Sequence, residues 1–177
     1  MTRWRVHGES PLYTSDWLSL HLARVELPHG ETFAHHVVRI SFEAAGGVIV
    51  DEQRRVLLLH RHRFITDTWG WEIPAGRVEP GETPEQAVGR EAVEETGWRP
   101  HALEPLGFSH PSNGQIEQTF RYFLGRGATR VGEPEPQETD RVDWFEPHDV
   151  RALIAHGEIP DGLSVTALGI AFALGRI

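Results

Sequence analysis

The stretch Thr83–Gly97, "TPEQAVGREAVEETG", constrains the fold more than any other part of the chain. Thr83 suits a helix N-cap, Pro84 suits the first helical position, and Gln86 completes a capping box with Thr83. Gly97 supplies a left-handed stop. The punctuation predicts a helix over Thr83–Thr96. At about 100° per residue, Val88, Ala92 and Val93 fall on one broad side that must pack on another layer. Gly89 is costly inside a helix and implies a second backbone packed close to it. Glu91, Glu94 and Glu95 share the other side, because spacings of three and four bring side chains together. Carboxylates so crowded repel and tend to raise one another's pKa. Arg90 is the helix's only cation, and it reaches Glu94 at the next turn. The remaining charge calls for an outside cation. Clustered carboxylates with a carbonyl oxygen suit Mg²⁺, with Mn²⁺ second. Magnesium keeps waters and shares phosphate oxygens, so it implies a phosphorylated ligand. The alternative at this point is an acidic helix face open to water.

Bulk composition narrows the partners. The 177 residues suit one domain, with or without a small appendage. Lys and Arg number 17 against 26 Asp and Glu, a formal charge of −9, which argues against nucleic-acid backbone binding. An acidic protein still handles a small polyanion when bound metal reverses the local field. Absence of cysteine excludes disulfides, thiolate nucleophiles and Cys-based zinc sites. The N-terminal residues contain no apolar signal core. Leu163–Ile177 is too short and too interrupted by glycine to span a bilayer, and reads as a terminal helix. These features lead us to expect a soluble cytoplasmic protein with no membrane partner.

Along the chain, "WLSLHLARVEL" (Trp17–Leu27) and "TFAHHVVRI" (Thr32–Ile40) read as a hairpin around "PHGE". "GGVIV" (Gly46–Val50) is a short apolar run, and "VLLLHRHR" (Val56–Arg63) a strand with a buried start and a basic end. "WGWEIPAG" (Trp69–Gly76) is a strand stopped by Pro74 and Gly76. "LEPLGFS", "EQTFRYFLG" and "RVDWFEP" are further strands. Gly125–Thr139, rich in Gly, Pro and Glu, reads as a mobile loop. "HDVRALIAHG" and "DGLSVTALGIAFALGRI" are closing helices. Strands dominate, with one helix between them and two at the end, which predicts an α+β fold with helices flanking a mixed sheet.

Gly76, Glu82, Arg90, Glu91, Glu94, Glu95 and Gly97 match the Nudix hydrolase signature at every fixed spacing, with Ala92 and Trp98 at its apolar positions. "HHVVR", "VLLLHRHR", "WEIPAGRVEPGE", "GREAVEETG" and "HGEIPDGLSVTAL" resemble, in order, the ADP-ribose pyrophosphatase branch, from about Val25 to Leu168. The resemblance implies a Nudix-type αβα sandwich with a mixed sheet. It also implies an N-terminal β-hairpin subdomain over residues 1–43, suited to homodimer formation, and a hydrolase domain over residues 44–177.

The implied reaction is metal-dependent hydrolysis of a nucleoside diphosphate linked to another moiety, for ADP-ribose giving AMP and ribose 5-phosphate. By position, the resemblance assigns the metal to Glu91, Glu94, Glu95 and the Ala75 carbonyl. Arg90 and Glu82 become a salt bridge that orients the ligating glutamates. Glu138, with Asp140 as alternative, matches the general base on a late acidic loop. Arg63 matches a phosphate contact, with Arg39 and Glu117 as further substrate contacts. Trp69 and Trp71 are candidates for stacking on a base, although packing is the commoner role for tryptophan. Departures bear on the substrate: Asn113 in "PSNG" stands where the branch often has proline, and His60 and Arg61 replace a more usual arginine and glutamine. GDP-mannose, NADH or FAD are alternative substrates, and a catalytically silent nucleotide-metabolite sensor is the alternative class.

Overall fold

Two adjacent glycines set how closely helices approach the central sheet. Gly46 and Gly47 lie in strand β4 (Ala44–Val50), where successive positions face opposite sides. A Cβ on Gly47 would come within 2.6 Å of Val88 Cγ1, and one on Gly46 within 2.6 Å of Leu163 Cδ2. Val88 belongs to helix α1 (Pro84–Thr96) and Leu163 to helix α3 (Gly162–Ala173). One helix therefore lies on each face, and each glycine removes the side chain that would hold its helix away.

The computed structural model describes residues 2–177, in two compact units. The larger unit comprises Ala44–Ser109 and Phe120–Ile177. Its sheet follows the order β11 (Arg141–Phe145), β5 (Val56–Arg63), β4, β10 (Phe120–Arg130), β8 (Trp98–Ser109), with β6 (Thr68–Glu72) paired to β5 and β7 (Ala75–Arg77) paired to β4. β10 runs parallel to β4 and the other pairs are antiparallel, so the sheet is mixed.

The period-two pattern sorts the core. Ala45, Ile49 and Leu57 pack with Ala87, Val88 and Ala92 of α1. Val48, Val50, Val56 and Leu58 pack on the other face with Leu163, Ala167, Leu168 and Ala171 of α3 and Val150 of α2 (Pro147–Ala155). Burying a Val, Leu or Ile contributes about 1.5–3 kcal/mol each, and here that gain is spread over two helical layers. Ser164 fixes the junction on the α3 side: its hydroxyl donates to the Asp161 carboxylate (2.7 Å) and accepts from the Ile73 N–H (3.1 Å).

The smaller unit comprises Met1–Glu43 and His110–Thr119. Its sheet runs β1 (Arg5–Thr14), β2 (Leu18–Glu26), β3 (Thr32–Ile40), β9 (Ile116–Glu117). The expected hairpin is β2–β3, and the sequence reading missed its two flanking strands. β1 lacks alternation because all ten residues are exposed, and its register shifts near Gly8 and Pro11. Both residues suit an edge strand, which tolerates a bulge and a missing N–H.

Three other expectations need correction. Residues Trp69–Gly76 form two strands, because the chain leaves β5 at Ile73–Pro74 and joins β4 as β7. β10 continues to Arg130, so the irregular segment begins six residues later than Gly125. Gly89 meets no atom within 4 Å of an added Cβ, so the close approach expected there occurs instead at Gly47.

Gly47 of β4 and Gly89 of α1 make opposite predictions. Gly47→Ala should destabilise by about 1–3 kcal/mol, as overpacking does. Gly89→Ala should stabilise by about 0.5–1 kcal/mol through helix propensity. Urea midpoints with unchanged m-values would measure both.

Candidate active site

Helix α1 begins as its residues dictate. Thr83 Oγ1 accepts from the Gln86 N–H (3.2 Å), and Gln86 Oε1 accepts from the Thr83 N–H (2.8 Å). Gly97 closes the helix at φ 75°. With both ends fixed and Val88 seated over Gly47, the next turns aim Glu91 and Glu95 at β7. There the Ala75 N–H donates to Glu95 Oε2 (2.9 Å). A Cβ on Gly76 would collide with the Glu91 carboxylate. Glycine at 76 thus leaves room for a carboxylate against the backbone of a strand.

Electrostatics divides the three helix glutamates. Glu95 is buried, only 2 % exposed, and its second partner is the Arg61 guanidinium of β5, whose Nη1 donates to Oε1. Burial pushes Glu95 up to about 7, against the opposing pull of Arg61 and the Ala75 N–H. Burial also raises Glu91, against the pull of Arg90. The sequence reading attributed such shifts to mutual repulsion, but desolvation is the larger cause. Arg90 binds three carboxylates: Nε donates to Glu82 (3.1 Å), and Nη1 to Glu91 (2.8 Å) and Glu94 (2.9 Å). Its Nη2 also reaches the Arg77 carbonyl at 3.1 Å. Glu82 is held below the ordinary carboxylate value, chiefly by Arg90.

The segment after β10 is anchored rather than free. Val131 N–H donates to the Gly97 carbonyl (2.8 Å), Glu135 N–H to the Glu94 carbonyl (2.8 Å), and Thr139 Oγ1 to the Glu95 carbonyl (2.7 Å). These are carbonyls at the end of α1, which have no helical partner of their own. A composition-based reading as a mobile loop could not see these receptors. The anchoring brings Glu138 Oε2 to 3.6 Å from Arg61 Nη2 with the Glu138 side chain half exposed. Asp140 is tied instead to His60, through the His60 carbonyl (2.9 Å) and Nδ1 (3.3 Å).

Other expected residues lie elsewhere or are already partnered. Arg63 pairs through Nε and Nη2 with buried Glu72. Trp71 is buried, with Phe145 at 4.6 Å and the Arg141 guanidinium at 4.7 Å from its ring, so it belongs to the core. Trp69 is exposed and stacks on His60 at 5.4 Å. Arg39 and Glu117 belong to the smaller unit, where Arg39 donates to Glu117 (2.7 Å) and Glu9 (2.6 and 2.9 Å). Glu117 and Glu9 line a cavity of about 850 Å³ in that unit. In the sequence Arg61 is only a departure at its position, because its contact with Glu95, 34 residues away, leaves no signal in local sequence.

The donor set fits a hard divalent cation: oxygen atoms only, from carboxylates one turn apart beside a strand backbone. Among the described residues no three His, Asp or Glu side chains form a ready ligand cage, and Arg61 and Arg90 hold the carboxylates instead.

Comparison with known proteins gives a consistent picture. A family profile described as "NUDIX domain" matches residues 41–163. A "CMP-5'-(N-acetyl-N-hydroxy-3-aminopropyl)phosphonate hydrolase" of Streptomyces rubellomurinus is 39% identical over 174 residues, 98% of this chain and 83% of its own length. The "ADP-ribose pyrophosphatase" of Bacillus subtilis is 26% identical, over 91% of this chain and 88% of its own. A crystal structure titled "ADP compounds hydrolase" superposes with a TM-score of 0.86 over 100% of this chain and 98% of that one, at 15% identity, which supports the fold.

A raised carboxyl pKa has a definite sign in stability. Glu95 moves from the ordinary 4.5 to about 7 on folding, so the folded state holds the extra proton between those values. Its stabilising contribution is complete below about pH 4.5 and is lost as pH rises through about 7. In chelator, the Tm of wild type minus that of Glu95→Gln should therefore fall from pH 5 to pH 8, by calorimetry at matched ionic strength.

Proposed function

This chain belongs to the Nudix hydrolases, in their ADP-ribose pyrophosphatase-like branch, and from that premise we propose that it hydrolyses a nucleoside diphosphate linked to another moiety, with ADP-ribose as the leading substrate. The observation that carries the reading is the pair Glu91 and Glu95, set one turn apart against the Ala75–Gly76 backbone. We assign Mg²⁺, or Mn²⁺, to Glu91, Glu95 and the Ala75 carbonyl, with Glu94 supporting. A divalent cation there supplies charge neutralisation for the diphosphate and acidifies water.

The chain's own groups do the rest. Arg90, tied to Glu82 and the Arg77 carbonyl, keeps Glu91 and Glu94 oriented without touching substrate. Glu138 is the proposed general base, since Asp140 is committed to His60. Water adds across the phosphorus–oxygen bridge: one phosphorus gains the hydroxyl, the bridging oxygen leaves with the other, and Glu138 takes the water's proton. Arg63, Arg39 and Glu117 remain proposed substrate contacts, each of which must loosen an existing ion pair to serve. We also propose a homodimer, on the branch resemblance.

A second reading is favoured by one finding. The relative named for a CMP-linked phosphonate is more similar, at 39%, than the ADP-ribose pyrophosphatase relatives, at 26%. Both readings share a nucleoside 5′-phosphate joined to a second phosphorus centre, and they differ in base and leaving group.

Incubation with ADP-ribose and Mg²⁺ should release AMP and ribose 5-phosphate by chromatography. CMP from a CMP-linked phosphonate, with no AMP from ADP-ribose, would move the assignment to the second reading. Glu95→Gln should lower kcat by at least about 10²-fold on whichever substrate is turned over, the scale for losing a transition-state charge stabiliser. Unchanged turnover would reject the helix assignment.

A further inference from the structure

Two arginines on β5 are satisfied very differently. Arg61 and Arg63 lie two residues apart and share one face of the strand. Arg63 makes a two-pronged pair with Glu72. Arg61 holds Glu95 through Nη1 alone, its Nη2 stands 3.6 Å from Glu138, and its Nε is buried with no hydrogen-bond partner. A guanidinium carries five N–H donors in a fixed fork, and a buried orphan donor is costly to keep. The side chain is nonetheless enclosed, 14% exposed, against a carboxylate that is 2% exposed. Arg61 is strongly held by charge and poorly held by geometry.

Glu95 is also the carboxylate assigned above to the divalent cation. A guanidinium and a divalent cation repel, and they seek the same oxygens. We propose that Arg61 is a displaceable counter-ion: it neutralises Glu95 in the metal-free protein, gives way when metal binds, and then turns its freed donors toward Glu138 and the anionic substrate. The inference rests on the metal assignment for Glu95. A place for the displaced head is at hand, since Arg61, His62, Trp69, Glu138 and Asp140 line a cavity of about 320 Å³. Metal loading and phosphate recognition are thereby coupled through one positioning residue, with metal binding first.

Linkage makes the coupling measurable without turnover. Mn²⁺ binding, followed by electron paramagnetic resonance without substrate, is compared in wild type, Arg61→Gln, Arg61→Lys and Glu95→Gln. Removing the competing charge in Arg61→Gln should tighten Mn²⁺ binding by roughly tenfold, within the usual range of coupling between sites. Arg61→Lys keeps the charge and should stay much nearer wild type. Equal or weaker binding in Arg61→Gln overturns the proposal, as does a gain in Arg61→Lys that matches it. If Glu95→Gln binds Mn²⁺ as tightly as wild type, the metal assignment fails and takes this inference with it. If wild type binds, Glu95→Gln does not, and Arg61→Gln is unchanged, the inference alone fails. The unmutated protein gives a reading that needs no stable Gln variant: Mg²⁺ should shift the Arg61 Nε–H resonance, identified by its loss in Arg61→Lys. A resonance that stays fixed at saturating Mg²⁺ overturns the proposal.

Discussion

The contact between Val88 and the bare backbone of Gly47 governs much of this molecule. It lets α1 lie directly on β4, and β7 pairs with that same strand through Ala75–Gly46 and Gly76–Ala45. Helix and strand are thus referenced to one neighbour. Glu91 and Glu95 meet the Ala75–Gly76 backbone because both partners are measured from β4. Gly46 performs the matching service for α3 on the opposite face, so a single dipeptide calibrates both helical layers.

Packing that close creates an electrostatic problem. Bringing α1 down buries Glu95, and burial of a carboxylate is costly without compensation. The fold compensates locally, with a backbone N–H from β7 and the Arg61 guanidinium from β5. Arg90 does similar work on the outer flank, linking Glu82, Glu91 and Glu94 into one network. Two arginines from different elements therefore bracket the helix carboxylates, which is how so acidic a surface persists with little cationic charge in its own sequence.

Local signals in the chain were readable where they were local in cause. The capping box of Thr83 and Gln86, the left-handed Gly97, the alternation of β2 and the buried start and basic end of β5 each act within a few residues, and each reads correctly. The signature spacing from Gly76 to Gly97 also announced the family. Elsewhere the cause was distant. Gly46 and Gly47 looked like part of an apolar run because Leu163 and Val88 are remote in sequence. β1 gives no such signal because an edge strand whose residues are exposed on both faces needs no alternation. The segment after β10 looked unstructured because its hydrogen-bond acceptors are the spare carbonyls of a helix more than thirty residues earlier. Arg61 read only as a departure bearing on the substrate, because its partner Glu95 lies on α1, remote in sequence.

That anchoring carries an implication for how such a scaffold diversifies. Glu135 and Thr139 are each pinned to α1, and only Pro136, Gln137 and Glu138 lie between the pins. Pro136 and Gln137 are thus exchangeable positions between fixed ends, free to change while the helix beneath keeps its position and Glu138 stays beside Arg61. Changes at those two positions reshape the rim of the cavity lined by Arg61, Glu138 and Asp140 without disturbing the carboxylates of α1.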